Sequence, residues 1–544
     1  MRFYDNLPGY RSTLRDGGLV VTPPEPNTDS VLVMGTSKQG PLNDPKRVES
    51  LSEARDKFGG IKDELGRYNK TTLLPAISEL IEAGCEDIRV MRVTGKFAAK
   101  VILGKEDDDI AKFEGKEPGT DYNNVTIVTD GTQDGEAETI NFYIPKSIGG
   151  NGKYDENGED PTLSYDLKDE NGEYKSLKDL AMEINDLDEN NKWITMLMPS
   201  DFQEDPDHNE DSDARFKGGQ EDQMEGGDDE LDLSKEEMYK RLAEAYEEVL
   251  TYDVDIVVPL GVYFDDHVVI EDEEGAQEEH TFAQQLANFC GYSSGMGTLT
   301  IGVISTSPLG VAGPKQVKEY YEKLMDMDPD FDLLDNNGYA ETDKDGNVID
   351  AGRYLNVIAG EGIFDNSTLG RYINTLESAY AGLISTLTPH NAPTNENIEG
   401  LRALRYEFSP KHMDQLCTKR YVTMRRKPNL GTVVTDGMTR AKHDSDYVRL
   451  TTLRITSAVV NGIYEVTLPF IGEAIDPQRR NAMRTEVKAV LADLQEQGML
   501  QDYAFTVRQT AQERIQGTAN ILVEMVPAFE LRRIMTIIEL RPEL

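Results

Sequence analysis

The sequence predicts a multidomain protein of mixed α/β and α+β class. Residues 235–388 alternate helix-like and strand-like runs, the order that builds a parallel sheet covered by helices. Residues 97–198 change to short alternating strands with turn signals such as Asp130-Gly131 and Asp134-Gly135. At 544 residues the chain is long enough for about three or four domains.

Taken in order, Ser30 to Gly35 reads as a buried strand, and Ser50 to Phe58 as a short helix opened by a Ser-x-x-Glu capping pattern. Thr71 to Ala83 places Leu74, Ile77, Leu80 and Ile81 on one helical face, with Gly84 just beyond its end. Asp87 to Val93 alternates as a strand. Asn124 to Thr129, Thr139 to Ile144 and Trp193 to Met198 read as strands of a small β-sandwich, with a helix over Leu177 to Asn185. Next come a helix over Lys235 to Leu250, a strand over Asp253 to Leu260 and a helix over Phe282 to Tyr292. Leu299 to Ser305 is a strand, Pro314 to Met325 a helix, Tyr354 to Ala359 a strand and Leu369 to Thr386 a helix. The remainder is α+β, with helices over Thr452 to Ile463 and Gln478 to Gln497. The second has Asp476 as N-cap, Pro477 at its first position and Gly498 beyond its end. Strands follow at Ala504 to Arg508, Ile521 to Val526 and Ile534 to Leu540.

Charge is partitioned along the chain. The net charge is −44, yet residues 1–100 sum to +1 and 401–544 to +4, which leaves −49 on residues 101–400. Such a middle repels nucleic acid and anionic membrane, and belongs where water and salt screen it. Residues 201–233 are rich in Asp, Glu, Gly and Gln with few large apolar residues, the composition of an exposed flexible loop. No apolar run approaches a membrane span, and Met1 to Asp5 opens no signal peptide, so a protein made in the cytoplasm is expected. The three cysteines, Cys85, Cys290 and Cys417, have no metal spacing and read as thiols in a reducing compartment.

Both ends of the chain are strand-like. Leu19, Val20, Val21 and Thr22 stand before Pro23-Pro24-Glu25-Pro26, and Ile534, Thr536, Ile538 and Leu540 share one face of the last predicted strand. Either these strands pair within their own subunit, or they are added to the sheet edge of another. The second option describes an assembly protein.

Catalytic chemistry is sparse. The six histidines, His208, His267, His280, His390, His412 and His443, show no His-x-x-x-His spacing, and no G-x-S-x-G elbow exists. Gly149 to Lys153 lacks the frame of a phosphate loop, and Asp343 to Asn347 lacks the last ligand of an EF-hand, so turns are expected at both. No cofactor and no metal is expected.

The order of segments resembles the contractile tail sheath proteins of bacteriophages and related injection machines. Leu7-Pro8-Gly9-Tyr10 resembles the family's opening, one residue short before the tyrosine. Ser30 to Gly35, Gly40-Pro41 and Phe58-Gly59 then follow the family's order. Gly84 with Ile88 to Val93, Ala379 to Asn395, Phe470-Ile471-Gly472-Glu473 and Gly517 through Val526-Pro527-Ala528-Phe529-Glu530-Leu531 to Ile534 continue it.

The resemblance implies a structural subunit, not an enzyme. It polymerises with itself in stacked rings around a tail tube protein, and meets baseplate and tail terminator proteins. It contracts to drive the tube through the host envelope for genome delivery. It binds no nucleic acid and inserts in no membrane. The implied domains are an N-terminal arm (1–26), the first part of an α+β core (27–96) and an outer β-sandwich (97–200). They continue with the acidic loop (201–234), a subtilisin-like, non-catalytic α/β domain (235–400), the core C-terminal domain (401–530) and a C-terminal arm (531–544). Arg479, Arg480, Arg484 and Lys488 lie off the apolar stripe of their helix and are read as tube-facing, or else as a solvated helix face. The rival readings are a non-contractile filament or surface-layer protein, and a hydrolase with an acid–base pair near 259–266 and 305–310.

Overall fold

The computed structural model describes residues 29–61, 70–105, 109–131, 135–152, 160–169, 171–185, 191–198, 201, 213–271, 277–295, 299–335, 338–343, 346–472 and 476–538. The predicted arm strand Leu19 to Thr22, Leu540 and most of the acidic stretch before 213 lie outside them.

An eight-stranded sheet forms the centre. In spatial order its strands are Lys46–Val48, Ile88–Arg92, Val31–Gly35, Ile256–Pro259, Ile301–Ser305, Leu355–Ala359, Tyr421–Lys427 and Gly431–Val434. The six inner strands are parallel, and each edge strand runs antiparallel to its neighbour. Four of the inner strands are buried at every position, which is why they read as Val/Ile/Leu runs with few polar residues. Helices Leu73–Glu82 and Glu377–Thr386 pack on the sheet and against each other. A Cβ added at Gly382 would lie 2.7 Å from that of Ala83, so this approach requires glycine.

The sheet corrects the expected domain boundaries. Residues 27–96 and 235–400 do not make separate units: Val31–Gly35 pairs directly with Ile256–Pro259, and one apolar core joins them. The same sheet takes in residues 421–434 from the expected C-terminal domain. Strand partners far apart in sequence leave no local trace of this. Leu369 to Thr386 is not one helix either. Gly370–Thr375 is a strand paired with Glu361–Asn366, and the helix starts at Glu377, beside the Thr375 hydroxyl that donates to its carboxylate. The aromatic and β-branched run Tyr372-Ile373 favours the strand.

Residues 96–230 form an inserted unit with its own core. Two antiparallel sheets, one of Ala99–Leu103, Asp109–Gly115 and Ile194–Leu197, the other of Glu221–Gln223, Thr126–Thr129, Thr139–Tyr143 and Leu163–Asp166, contribute to a single apolar cluster. Phe113 and Phe142 meet edge to face at 5.1 Å at its centre. Arg92 stitches this unit to the main sheet. Fully buried, it donates to the carbonyls of Thr94 and Pro118, and burial lowers its pKa to about 10.

The described part of the expected flexible loop is ordered. Residues 213–230 bridge to Ser176, Gly104, Glu136, Ala99 and Lys96, and bury Ala214, Phe216 and Met224. Composition misleads here because three well-placed apolar side chains and a backbone ladder suffice to anchor a polar segment.

A third unit begins at Leu450. Helices Leu450–Thr467 and Pro477–Glu496 pack together beneath a hairpin of Leu500–Arg508 and Asn520–Pro527. The second helix starts as its sequence predicts: the Asp476 side chain accepts from the Arg479 N–H at 2.8 Å, with Pro477 following.

Candidate inter-subunit interface

The parallel sheet invites a search for an active site at the carboxyl ends of its strands, where open α/β sheets bind ligands. Strand order turns between Val31–Gly35 and Ile256–Pro259, and side chains fill that crevice. Thr72 and Thr36 hydrogen-bond each other's backbone there, and a Cβ on Gly35 would meet the Thr72 hydroxyl at 2.3 Å. Farther along, Asp265 accepts from the Ser307 N–H at 2.7 Å and from its hydroxyl at 2.9 Å, and pairs with Lys323. Burial opposes ionisation of Asp265, but these donors win and hold its pKa below the usual carboxylate range. The result is a salt-bridged acid, a poor base for the Ser307 hydroxyl. Among the described residues no group of three or more His, Cys, Asp or Glu is arranged to hold a metal ion. His412 stacks on Tyr321, while His443 and His267 sit against Asp328 and Glu279.

The C-terminal unit behaves differently. Its sheet has two strands only, of nine and eight residues, so among the described residues each strand has one edge without a strand partner. Burial alternates along Asn520–Pro527: Ile521, Val523 and Met525 face the helices, while Leu522 and Val526 face outward. A hairpin alone is marginal in water; this one stands on the helices through one face and offers its edges.

After Pro527 the backbone keeps no regular structure through residue 538, which corrects the strand expected from Ile534 within its described part. The reason is physical: a strand needs a ladder partner, and among the described residues none pairs with this segment. The Ala528 N–H donates to the Met499 carbonyl at 2.9 Å, and Arg532 pairs with Asp436. Phe529, Leu531, Ile534, Met535, Ile537 and Ile538 are between 69% and 87% exposed. Six large apolar side chains left bare within ten residues form a larger exposed apolar stretch than scattered surface residues do, which makes this segment the candidate contact surface. Of the predicted arm residues, Ile534, Thr536 and Ile538 lie in this exposed segment.

The four cations expected to face a tube do not form one patch. Arg480, Arg484 and Lys488 follow each other at spacings of four along one flank of their helix. Arg479 lies roughly 140° around the helix from Arg484. Arg484 is exposed, and its guanidinium sits 5.9 Å from the Phe505 ring of the hairpin.

Sequence reading missed a set of ion pairs at the base of this unit. Arg454, 4% exposed, donates to Asp29 at 2.6 Å and to the Leu387 carbonyl at 2.8 Å. Burial pushes the Asp29 carboxyl up to about 6 against the pull of Arg454. Arg449 lies 2.6 Å from Asp436 and 3.5 Å from Glu530. The local sequence offers one hint, a charge between Leu453 and Ile455 in an otherwise uncharged helix stretch.

Comparison with known proteins points to one group. Residues 442–540 match the family described as phage tail sheath C-terminal domain. The fold is similar to that of a sheath tail protein from Listeria innocua, at 10% identity and TM-score 0.52, covering 93% of this chain and 96% of that one. It is also similar to the helical sheath of the anti-feeding prophage in its contracted state, at 10% identity and TM-score 0.50, covering 98% and 99%. No curated protein matches the sequence.

Proposed function

We infer that this chain, which belongs to the tail sheath proteins of phages and related contractile injection systems, is the structural subunit of a contractile sheath. One observation carries this reading: the unit that matches the sheath domain is the unit with an open-edged hairpin and a bare apolar segment beside it. Subunits join by strand addition. Ile534 to Leu540 of one copy, and Leu19 to Thr22 of another, extend the two-stranded sheet at its edges. Each added backbone hydrogen bond is worth about 0.5–1.5 kcal/mol net, and each buried Ile or Met side chain about 1.5–3 kcal/mol. Links of this kind hold while the cores they join slide and rotate.

The extended sheath is a kinetic trap around the tail tube, and a baseplate trigger releases it to a shorter, wider lattice that drives the tube through the host envelope. Arg480, Arg484 and Lys488 supply a weak tube contact, consistent with a tube that slides free. The parallel-sheet body acts as a non-catalytic, subtilisin-like carrier. It positions the acidic insertion, as a small sandwich, toward solvent in the tail of the virion. Terminator and baseplate proteins close the two ends of the polymer.

Negative-stain microscopy of the purified full chain tests the reading. Hollow striated tubes of uniform width are expected, with a second pitch when tubes are assembled on the tail tube. A single-pitch solid filament, or a flat lattice, would favour a filament or surface-layer protein instead.

A further inference from the structure

Two acids lie at the seam between the helices Leu73–Glu82 and Glu377–Thr386, which pack against each other on the sheet. Glu79 is 1% exposed and Glu377 3%. Glu79 accepts from the Asn374 amide at 2.8 Å, and Glu377 from the Thr375 hydroxyl at 2.7 Å. The second carboxyl oxygen of each is buried without a partner, as are the hydroxyls of Ser78 and Ser378 next to them in the chain. Both donors are neutral, and they are neighbours on the strand Gly370–Thr375, so one hairpin reaches both acids. One helical turn beyond Glu79, Glu82 accepts at 2.6 Å from Asn366, at the other end of that hairpin. Tyr372, Glu82 and Glu377 face Glu79, while Ser305 of the main sheet and Tyr263 face Glu377. None of these groups is a cation.

An anion in this seam would have a neutral donor and no counter-charge, and such a place favours the protonated form. Burial raises the pKa of both carboxyls, that of Glu79 well above the usual range, against the pull of their hydrogen bonds to Asn374 and Thr375. For packing alone, apolar side chains of the same shape would serve as well. What two carboxyls add is dependence on a proton. We propose that Glu79 and Glu377 stay neutral in the folded chain and form a proton-dependent lock, which closes the hairpin Glu361–Thr375 and the helix Glu377–Thr386 onto the helix Leu73–Glu82 and which an alkaline shift opens. The sign follows from proton count: above the ordinary carboxylate range the opened chain gives up protons that the closed one keeps, so opening grows easier as pH rises. Once ionised, Glu79 and Glu377 repel each other and Glu82 within one seam. The lock belongs to the single subunit and does not depend on assembly.

Hydrogen exchange of the Leu73–Glu82 amides in the full chain tests this between pH 6 and pH 8, after correction for the pH dependence of the intrinsic rate. For each acid neutral when closed and ionised when open, the opening constant should rise tenfold per pH unit. Glu79→Gln and Glu377→Gln should each remove one such factor and the double variant both, while amides of Asn520–Pro527 respond alike in all chains. In parallel, the infrared spectrum at pH 8 should hold a protonated-carboxyl band that each Gln variant weakens. Equal pH dependence of opening in the natural chain and the double variant overturns the lock, and a spectrum without that band overturns the neutral acids. If the double variant does not fold, the single variants are compared in the same way. If neither single variant folds, the band in the natural chain decides, and its absence overturns the proposal.

Discussion

The insertion at 96–230 and the unit at 450–538 are both built on antiparallel hairpins, and they treat their edges and charges in opposite ways. The insertion carries 13 Lys and Arg against 37 Asp and Glu, whereas the C-terminal unit carries 9 against 10. The insertion ties its strands back on themselves: bridges from Phe216, Lys217, Glu225 and Asp228 knit the polar segment 213–230 to its rims. Among the described residues, the C-terminal unit leaves one edge of each long strand without a strand partner, and the apolar segment that follows is exposed. Charge and closure protect a surface from other chains; neutrality and an open edge invite them. The contrast teaches that the part of the molecule with the smallest core is the part with the most open apolar surface, as the proposed strand addition requires.

The severest way to break this contrast is to remove the bare segment. A chain ending at residue 533 should keep its melting temperature, because the side chains of residues 534–538 are exposed, yet make no sheath visible by electron microscopy. Normal sheaths would end the strand-addition reading. Next in size is a blow to the other region. Phe113→Ala empties the centre of the insertion and should cost about 3–5 kcal/mol. It should unfold that unit in hydrogen exchange while amides of Asn520–Pro527 stay protected, and a loss of protection in both regions would show that the two are not independent. A smaller change sharpens the comparison. Leu522→Lys with Val526→Lys alters only exposed positions, within about 0.5 kcal/mol of monomer stability each. It should weaken polymer formation in sedimentation, and the same paired change at exposed positions of the insertion should leave sedimentation unchanged.

Much of this was legible in the sequence, and the limits have physical causes. The helix at 477–496 declared itself through Asp476, Pro477 and Gly498 because caps act within a few residues. The buried strands at 31–35 and 256–259 declared themselves through continuous apolar runs, but their adjacency did not, since a parallel pair spans more than two hundred residues with no local signal. The alternation at 521–526 was plain; whether it paired inside the chain was not, and it pairs with 500–508. The cation stripe looked like one face in a list of residues and splits when wound on a helix. The charge at Arg454 stood out, but its partner Asp29 did not, because that pair joins residues 425 positions apart, and Asp436 with Arg449, 13 residues apart, has no periodic spacing to mark it.

The smallest expected effect is also the most specific, and it concerns the junction between the body and the C-terminal unit. Asp29 has a folded-state pKa of about 6, above the ordinary carboxylate range, because burial outweighs Arg454, with Asp255 adding repulsion. A group raised in this way binds its proton more tightly in the folded state, so its contribution falls as pH rises through about 6 and is regained in acid. Cys85 and Asp255 also lie within reach of Asp29, and Arg454 alone favours its ionised form. Removing that arginine must therefore hurt most where Asp29 is charged. Arg454→Gln loses its carbonyl contacts at every pH, and these set a constant deficit. On top of it, the gap in melting temperature between the natural chain and the variant should widen from pH 5 to pH 8. Asp29→Asn in the same background should abolish the widening. A gap that stays constant with pH would mean that Arg454 acts through the Leu387 and Thr388 carbonyls alone, and that the Asp29 carboxylate is a bystander.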